Sequence, residues 1–203
     1  MAAYSYYSQN YYGDAMAELI RFLKVYPNHK DIVYAEYLLG LCYYEQIVDE
    51  KKDLQSIVNA KKTFQSLISK YPNTDFATDS MFKLNLIDEL LAGKEMYIGR
   101  YYVGKKKWIS AINRFRVVVD NYETTIYVEE ALHRLVEIYY ILGIESEAKK
   151  YAKLLGYNYQ SSEWYKKTFI VFNKKYEENK LKDIKKENNS ILKKFKSLFS
   201  RDE

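Results

Sequence analysis

The side chains that most often carry out chemistry are sparse in this 203-residue chain and stand apart from one another. The two histidines, His29 and His133, lie in different predicted elements, and neither belongs to a cluster spaced as a metal site. The single cysteine, Cys42, has no histidine close to it in sequence, and the chain has no glycine-rich phosphate loop. We therefore predict no catalytic site, no cofactor and no metal, and we do not expect an enzyme.

A second group of side chains suits protein recognition. Three lysines, Lys105 to Lys107, lead into Trp108, and Arg114 follows on the same predicted helix. An arginine that a rigid helix holds beside a tryptophan is a suitable interface anchor. The alternative is that Arg114 is an ordinary solvated charge, and both interpretations stay open at this point.

The elements that must position these residues are marked by a repeat. The pair Tyr26-Pro27 recurs as Tyr71-Pro72, and an alanine precedes each proline by twelve residues. The same twelve-residue offset places Ala111 before Glu123 and Ala148 before Gln160, so the four alanines are Ala15, Ala60, Ala111 and Ala148. A small side chain at a fixed position lets the second helix of a pair lie close against the first. Leu19, Phe64 and Phe115 supply the large apolar residue that follows in the tetratricopeptide pattern, and Ala152 does so poorly.

The breakers and the apolar spacing place the helices. They predict helices over residues 2–9, 13–26, 31–47, 54–70, 76–103, 108–121, 127–142, 145–155 and 163–176. Asp75 is the predicted cap of the long fifth helix, and the polar residues 48–53 are an insertion relative to the repeat. The fold class is therefore all-α: a right-handed tetratricopeptide-repeat solenoid of about four helical pairs over residues 1–178, in which 163–176 caps the last pair.

The concave face of such a solenoid is lined by the first helix of each pair. Projection of the repeat places an aromatic group there in the second pair: Tyr34, Tyr37, Leu41 and Tyr44. The third pair is predicted to contribute Met96, Arg100 and Val103, and the fourth Glu130, His133, Glu137 and Tyr140. An aromatic groove suits an extended peptide, and a charged one suits a folded partner. The alternative for each tyrosine is packing between helices.

Charge separates the body of the chain from its end. The net charge is +5, and residues 174–203 hold 10 Lys+Arg against 6 Asp+Glu, which leaves the body nearly neutral. A nucleic-acid partner is therefore not expected. In the tail 179–203, apolar residues recur at three- and four-residue spacing on a lysine-rich background, which fits a helix docked on the solenoid, a partner-binding helix or a membrane-surface helix. No apolar run is long enough to span a membrane, and no signal peptide is visible.

Several of these stretches together resemble the BamD family, the tetratricopeptide lipoproteins of the outer-membrane β-barrel assembly machinery. The most specific are Ala92-Gly93-Lys94-Glu95-Met96, Gly99-Arg100-Tyr101-Tyr102, and Ala111-Ile112-Asn113-Arg114-Phe115 with Trp108 before it. Glu130-Ala131-Leu132 and Leu155-Gly156-Tyr157-Asn158-Tyr159 continue the likeness, which covers about residues 2–170. The family's lipidated cysteine and its first repeat and a half have no counterpart here, which suggests a trimmed chain.

The resemblance implies an adaptor of five helical repeats on the periplasmic face of the outer membrane, held there by an N-terminal lipid anchor. The partners implied are a periplasmic (POTRA) domain of BamA, the other lipoproteins of the machinery, and unfolded outer-membrane β-barrel proteins. Repeats over residues 1–72 would bind the targeting strand of these substrates, and repeats over 75–160 would dock on BamA. Arg114 matches a BamA-facing arginine of the family, Lys105 is a weaker match, and Trp108 and Arg100 complete the predicted contact. A different periplasmic or cytosolic repeat adaptor, such as a coordinator of cell-envelope division, is the alternative.

Overall fold

A computed structural model describes residues 2–47 and 54–172 of the chain. Every regular element in these ranges is helical, which confirms the all-α prediction for the described residues. The helices are α1 (Ala2–Ser8), α2 (Tyr12–Val25), α3 (Ile32–Glu45), α4 (Leu54–Lys70), α5 (Asp75–Gly104), α6 (Trp108–Asn121), α7 (Val128–Ile141) and α8 (Glu145–Asn158), and residues 163–172 are also helical. We label this last segment α9. None of these helices combines the length and the apolar character needed to cross a membrane.

The chain divides into two compact units, residues 1–128 and residues 129–203. In the first unit, α2 packs against α1 and α3, and α4 packs against α3 and α5. The last helix of that unit, α6, packs against α5. These contacts between consecutive helices agree with the predicted pairs, while the solenoid geometry of the whole chain stays a prediction. The predicted insertion 48–53 and the tail 179–203 lie outside the described residues.

The four repeat alanines occupy the positions that the pattern requires. Ala15, Ala60, Ala111 and Ala148 are all fully buried. Around the second of them, Ile57, Phe64 and Ile87 form one fully buried cluster that joins α4 to α5. The residues predicted to follow the alanines also lie in the core, since Leu19 is 3% exposed and Phe64 and Phe115 are fully buried. Ala152 is only half-buried, as its poor fit to the pattern suggests.

Two glycines let the helices of a pair approach closely. A Cβ atom added to Gly40 of α3 would lie 2.5 Å from the Cε1 atom of Phe64. A Cβ atom added to Gly99 of α5 would lie at the same 2.5 Å from the corresponding atom of Phe115. The same glycine–phenylalanine contact therefore holds α3 to α4 and α5 to α6, which is direct structural evidence of a repeat.

One predicted detail needs correction. The cap of α5 is Thr74 and not Asp75, because the Thr74 hydroxyl accepts a hydrogen bond from the Ala77 amide at 3.2 Å. Asp75 is instead the first helical residue, where a carboxylate favours the positive end of the helix dipole. The segment α9 begins at the predicted residue 163 and exposes Phe169 by 60% and Ile170 by 53%. Its role as a cap of the last pair stays a prediction.

Candidate partner-binding surfaces

The predicted aromatic group on α3 lies at the contact between α3 and α5. Tyr37 donates a hydrogen bond from its hydroxyl to Asp79 at 2.6 Å, and its ring lies 5.2 Å from that of Phe76. Burial, and then the hydrogen bond to Asp79, raise the pKa of Tyr37 well above its usual range. The Tyr34 ring also contacts Phe76, at 5.6 Å between centroids. Both tyrosines are half-buried, so they join helices and still present one edge to a partner.

Leu41 and Tyr44 are half-buried as well and pack on the core between α3 and α4. The Nζ atom of Lys83 lies 5.0 Å from the centre of the Tyr44 ring, within the range of a cation–π contact. Tyr44 also lines a cavity of about 310 Å³ whose other walls belong to α5 and to the turn before α7. The lining residues are Tyr44, Leu86, Glu89, Leu90, Gly93 and Tyr127. Tyr44 is thus the predicted groove residue that borders open space.

The prediction of which α5 residues line the groove is partly wrong. Met96 is fully buried, because it stands on the same side of the helix as Ala92 and Gly99, which are buried too. Val103 is half-buried, and Arg100 is exposed as predicted. Four of the apolar residues that α5 exposes form a different row, which the sequence did not predict, while Met81 (45% exposed) lies off it. This α5 row is Phe82 (63% exposed), Leu86 (49%), Tyr97 (55%) and Tyr101 (56%).

The turn between α5 and α6 gathers the residues predicted to bind a folded partner. Arg114 of α6 donates to both carboxylate oxygens of Glu95 on α5, at 3.0 and 3.3 Å. Its side chain is still 41% exposed, while that of Glu95 is 17% exposed. The Nζ atom of Lys105 lies 5.8 Å from the centre of the Tyr101 ring, and the half-buried Trp108 opens α6. Arg114 is therefore paired with a carboxylate of its own chain and still accessible to a partner.

The acidic side chains of α5 are held by partners within the first unit. Beyond the first turn, the helix has four carboxylates, and each accepts a hydrogen bond from a donor on another element. The pairs are Asp79 with Tyr37, Asp88 with Lys61, Glu89 with the Ile126 amide, and Glu95 with Arg114. The basic residues of α5 are Lys83, Lys94 and Arg100. Outside these pairs and the first turn, the charged side chains of α5 are therefore the three basic ones.

In the second unit, three of the predicted groove residues, the buried Glu130 and His133 and the half-buried Glu137, belong to one polar cluster. His133 is 3% exposed, and its Nδ1 atom lies 2.7 Å from the Thr168 hydroxyl of α9. Its Nε2 atom lies 3.4 Å from a carboxylate oxygen of Glu137. Glu130 is 9% exposed and holds Arg134 at 3.3 Å. This cluster ties α7 to α9. Across the described residues, no group of metal-ligating side chains assembles.

Comparison with known proteins identifies relatives for most of the chain. Residues 1–155 match the family YfiO, described as an outer membrane lipoprotein. The outer membrane protein assembly factor BamD of Rickettsia prowazekii is 48% identical over 165 residues, which cover 81% of this chain and 66% of the relative. The protein of the same name from Caulobacter vibrioides is 39% identical over 173 residues, or 85% of this chain and 57% of the relative. The chain thus spans less than two thirds of the length of these two relatives.

Proposed function

The chain belongs to the YfiO family of outer membrane lipoproteins, and from that premise we propose that it is a non-catalytic adaptor in the assembly of outer-membrane β-barrel proteins. The observation that supports this most is the extent of the match, because residues 1–155 include both the α3 face and the α5–α6 turn. The family description supports a location at the outer membrane. A position on the periplasmic face, held by a lipid anchor, is part of the proposal.

The first part of the proposal is docking on a periplasmic domain of BamA through Arg114, Lys105, Trp108 and Arg100. Two of these residues project from α5 and its following turn, and two from α6. The Glu95 carboxylate orients the Arg114 guanidinium and leaves 41% of the side chain exposed, so the cation is positioned before a partner arrives. An arginine that is already ordered loses less conformational entropy on binding than a free one. This geometry suits recognition of an acidic group on a folded domain.

The test compares two charge reversals on the same helix. Arg114→Glu should weaken binding to the last periplasmic domain of BamA by about 2 kcal/mol or more, which is roughly 30-fold in Kd. Arg116→Glu is the matched control, since Arg116 is exposed and contacts only Asp120, at 3.9 Å, among the residues of its own helix. Interferometry with the two purified proteins gives the Kd. An unchanged Kd for Arg114→Glu removes this residue from the interface.

A charge-swapped variant separates direct contact from internal positioning. Combining Arg114→Glu with Glu95→Arg restores an ion pair between α5 and α6 but reverses the charge offered to the partner. If Arg114 contacts BamA directly, the swapped variant should bind as weakly as the single variant. Recovery of binding would show instead that the pair only positions the two helices.

The second part of the proposal is that Tyr34, Tyr37, Leu41 and Tyr44 bind the targeting strand of unfolded β-barrel proteins. Tyr44 is the residue to test, because it borders the cavity, whereas the Tyr37 hydroxyl is hydrogen-bonded to Asp79. Tyr44→Ala should reduce photocrosslinking of a peptide that carries the last strand of a barrel protein. Tyr157→Ala, which removes an 84% exposed tyrosine from the other unit, is the control. Equal crosslinking in Tyr44→Ala and the wild type would refute the assignment.

A further inference from the structure

The α5 row consists of two pairs of exposed apolar side chains, and none of the four belongs to the residues of the proposed function. Its members are spaced so that Phe82, Leu86, Tyr97 and Tyr101 fall on one side of the helix, and each is at least 49% exposed. From the first to the last is a rise of about 28 Å at 1.5 Å per residue. Isolated exposed apolar residues are ordinary, but a contiguous exposed row marks an interaction site.

The middle of the row holds a pocket of the size that one side chain fills. Between Leu86 and Tyr97, the cavity of about 310 Å³ opens beside Glu89, Leu90 and Gly93. A Cβ atom on Gly93 would lie 3.1 Å from the Tyr127 hydroxyl oxygen, so the tyrosine closes the pocket directly over the glycine backbone. Interfaces gain most of their affinity from a few anchors seated in such pockets, surrounded by contacts that exclude water.

The charged side chains beside the α5 row indicate which kind of segment could bind there. Each of the four later carboxylates of α5 accepts a hydrogen bond from a donor within the unit, although the buried Oε2 atom of Glu89, a residue of the pocket wall, has no hydrogen-bond partner. The cations Lys83 and Lys105 lie over the rings of Tyr44 and Tyr101, at 5.0 and 5.8 Å, and Lys94 stands between them along the helix. A surface that is apolar along its centre and basic at its margins is complementary to a segment that is apolar and acidic.

We propose that the α5 row binds an acidic amphipathic segment of a partner protein, with one apolar side chain of that segment seated in the pocket beside Gly93. The segment is amphipathic because the row is a single apolar line, and it is acidic because the margins of the row are basic. This surface shares Lys105 with the proposed BamA contact and Tyr44 with the proposed strand-binding group. It does not include Arg114, which projects from α6, or the other α3 tyrosines.

The probe is a pair of synthetic fluorescent peptides of about 20 residues, which span about 30 Å as a helix. Both carry leucines and one tyrosine along one face; the first has glutamate at the remaining positions and the second has lysine. Fluorescence anisotropy with the full chain should show the acidic peptide binding at least tenfold more tightly than the basic twin. Equal affinity for the two peptides, or no binding of the acidic one, overturns the proposal.

Matched variants locate the binding. Leu86→Ser should weaken binding of the acidic peptide more than tenfold, the size expected when a central anchor contact is lost. Val58→Ser is the control, because Val58 on α4 has the same 49% exposure as Leu86 and lies off the row. Equal losses in both variants, or none in Leu86→Ser, would show that the peptide binds elsewhere. Lys94→Glu should weaken the acidic peptide and spare the basic twin; the opposite order contradicts the charge argument.

The same variants distinguish this inference from the proposed docking on BamA. Leu86→Ser should keep the wild-type Kd for the BamA domain, and Arg114→Glu should keep the wild-type Kd for the acidic peptide. Far-ultraviolet circular dichroism verifies that each variant retains its helices. Loss of peptide binding in Arg114→Glu, with the helices intact, would place the peptide at the α5–α6 turn and overturn the assignment to the row.

Discussion

Replacing Gly99 by alanine tests the repeat architecture at its closest contact. In a helix the exchange alone should stabilise the protein by about 1 kcal/mol, because glycine is a poor helix former. Here the new Cβ atom would lie 2.5, 2.8 and 2.9 Å from three atoms of the Phe115 ring. That ring is fully buried, so it cannot turn out into solvent without leaving the core. Overpacking of this kind destabilises by about 1–3 kcal/mol, so the packing loss should offset or exceed the helix gain.

A second glycine isolates the packing contribution. Gly13 lies in the first turn of α2, and a Cβ atom added to it would have no atom within 4 Å. The effect of Gly13→Ala on the free energy of unfolding should therefore come almost entirely from the better helix propensity of alanine. The unfolding free energy of Gly13→Ala should exceed that of Gly99→Ala by about 1–3 kcal/mol. Gly40→Ala should behave like Gly99→Ala, since its Cβ meets Phe64 at the same 2.5 Å.

Urea titrations followed by circular dichroism give these free energies. Adding Phe115→Leu to Gly99→Ala should show favourable coupling, because a smaller side chain leaves room for the methyl group. If the two variants Gly99→Ala and Gly13→Ala had equal free energies of unfolding, α5 and α6 could move apart at no cost in stability. The close contact would then not contribute to the stability of the fold.

Three further predictions concern single side chains. Burial raises the pKa of Cys42 to about 11, so a thiol reagent at neutral pH should label it only on unfolding, and rapid labelling of the folded protein would contradict its burial. Burial raises the pKa of Glu137, but hydrogen bonding and charge from His133 and Arg134 outweigh it and leave the pKa lowered. Glu137→Gln should therefore destabilise the protein at neutral pH. The difference in stability from the wild type, measured by thermal melts, should shrink as pH falls below about 4.5. Tyr37→Phe should cost about 1–2 kcal/mol in urea titrations by removing the hydrogen bond to Asp79, and an unchanged stability would show that bond to be dispensable.

The repeat pattern predicted the positions that lie inside a helical pair. Ala15, Ala60, Ala111 and Ala148 are buried, and α6 begins and ends at the predicted residues, because these features depend on spacing along one chain segment. A small residue and a helix stop leave a mark in the sequence that does not depend on distant neighbours.

The surfaces were harder to predict, because they depend on what packs beside each helix. Projection of the repeat placed Met96 in the groove, yet it is fully buried beside Ala92 and Gly99. The spacing of the residues places them on one side of α5: Phe82, Leu86, Tyr97 and Tyr101. The sequence does not show that this side is the exposed one, because α5 has apolar residues on more than one side. The Arg114–Glu95 pair joins residues 19 apart on two helices, and no spacing marks it.

The exposed tyrosines and the engaged carboxylates of α5 have a common explanation. A carboxylate on the margin of an apolar row would repel an acidic partner and compete for its own lysines. On α5 the later carboxylates are turned into the unit and hydrogen-bonded there, at distances of 2.6 to 3.0 Å. The same bonds fasten the helix to α3, α4 and α6, so they stabilise the fold while they leave the basic side chains to face a partner. One set of contacts therefore gives α5 both its position and its electrostatic character, and for this reason the binding surfaces that we assign to this unit lie along it or beside it.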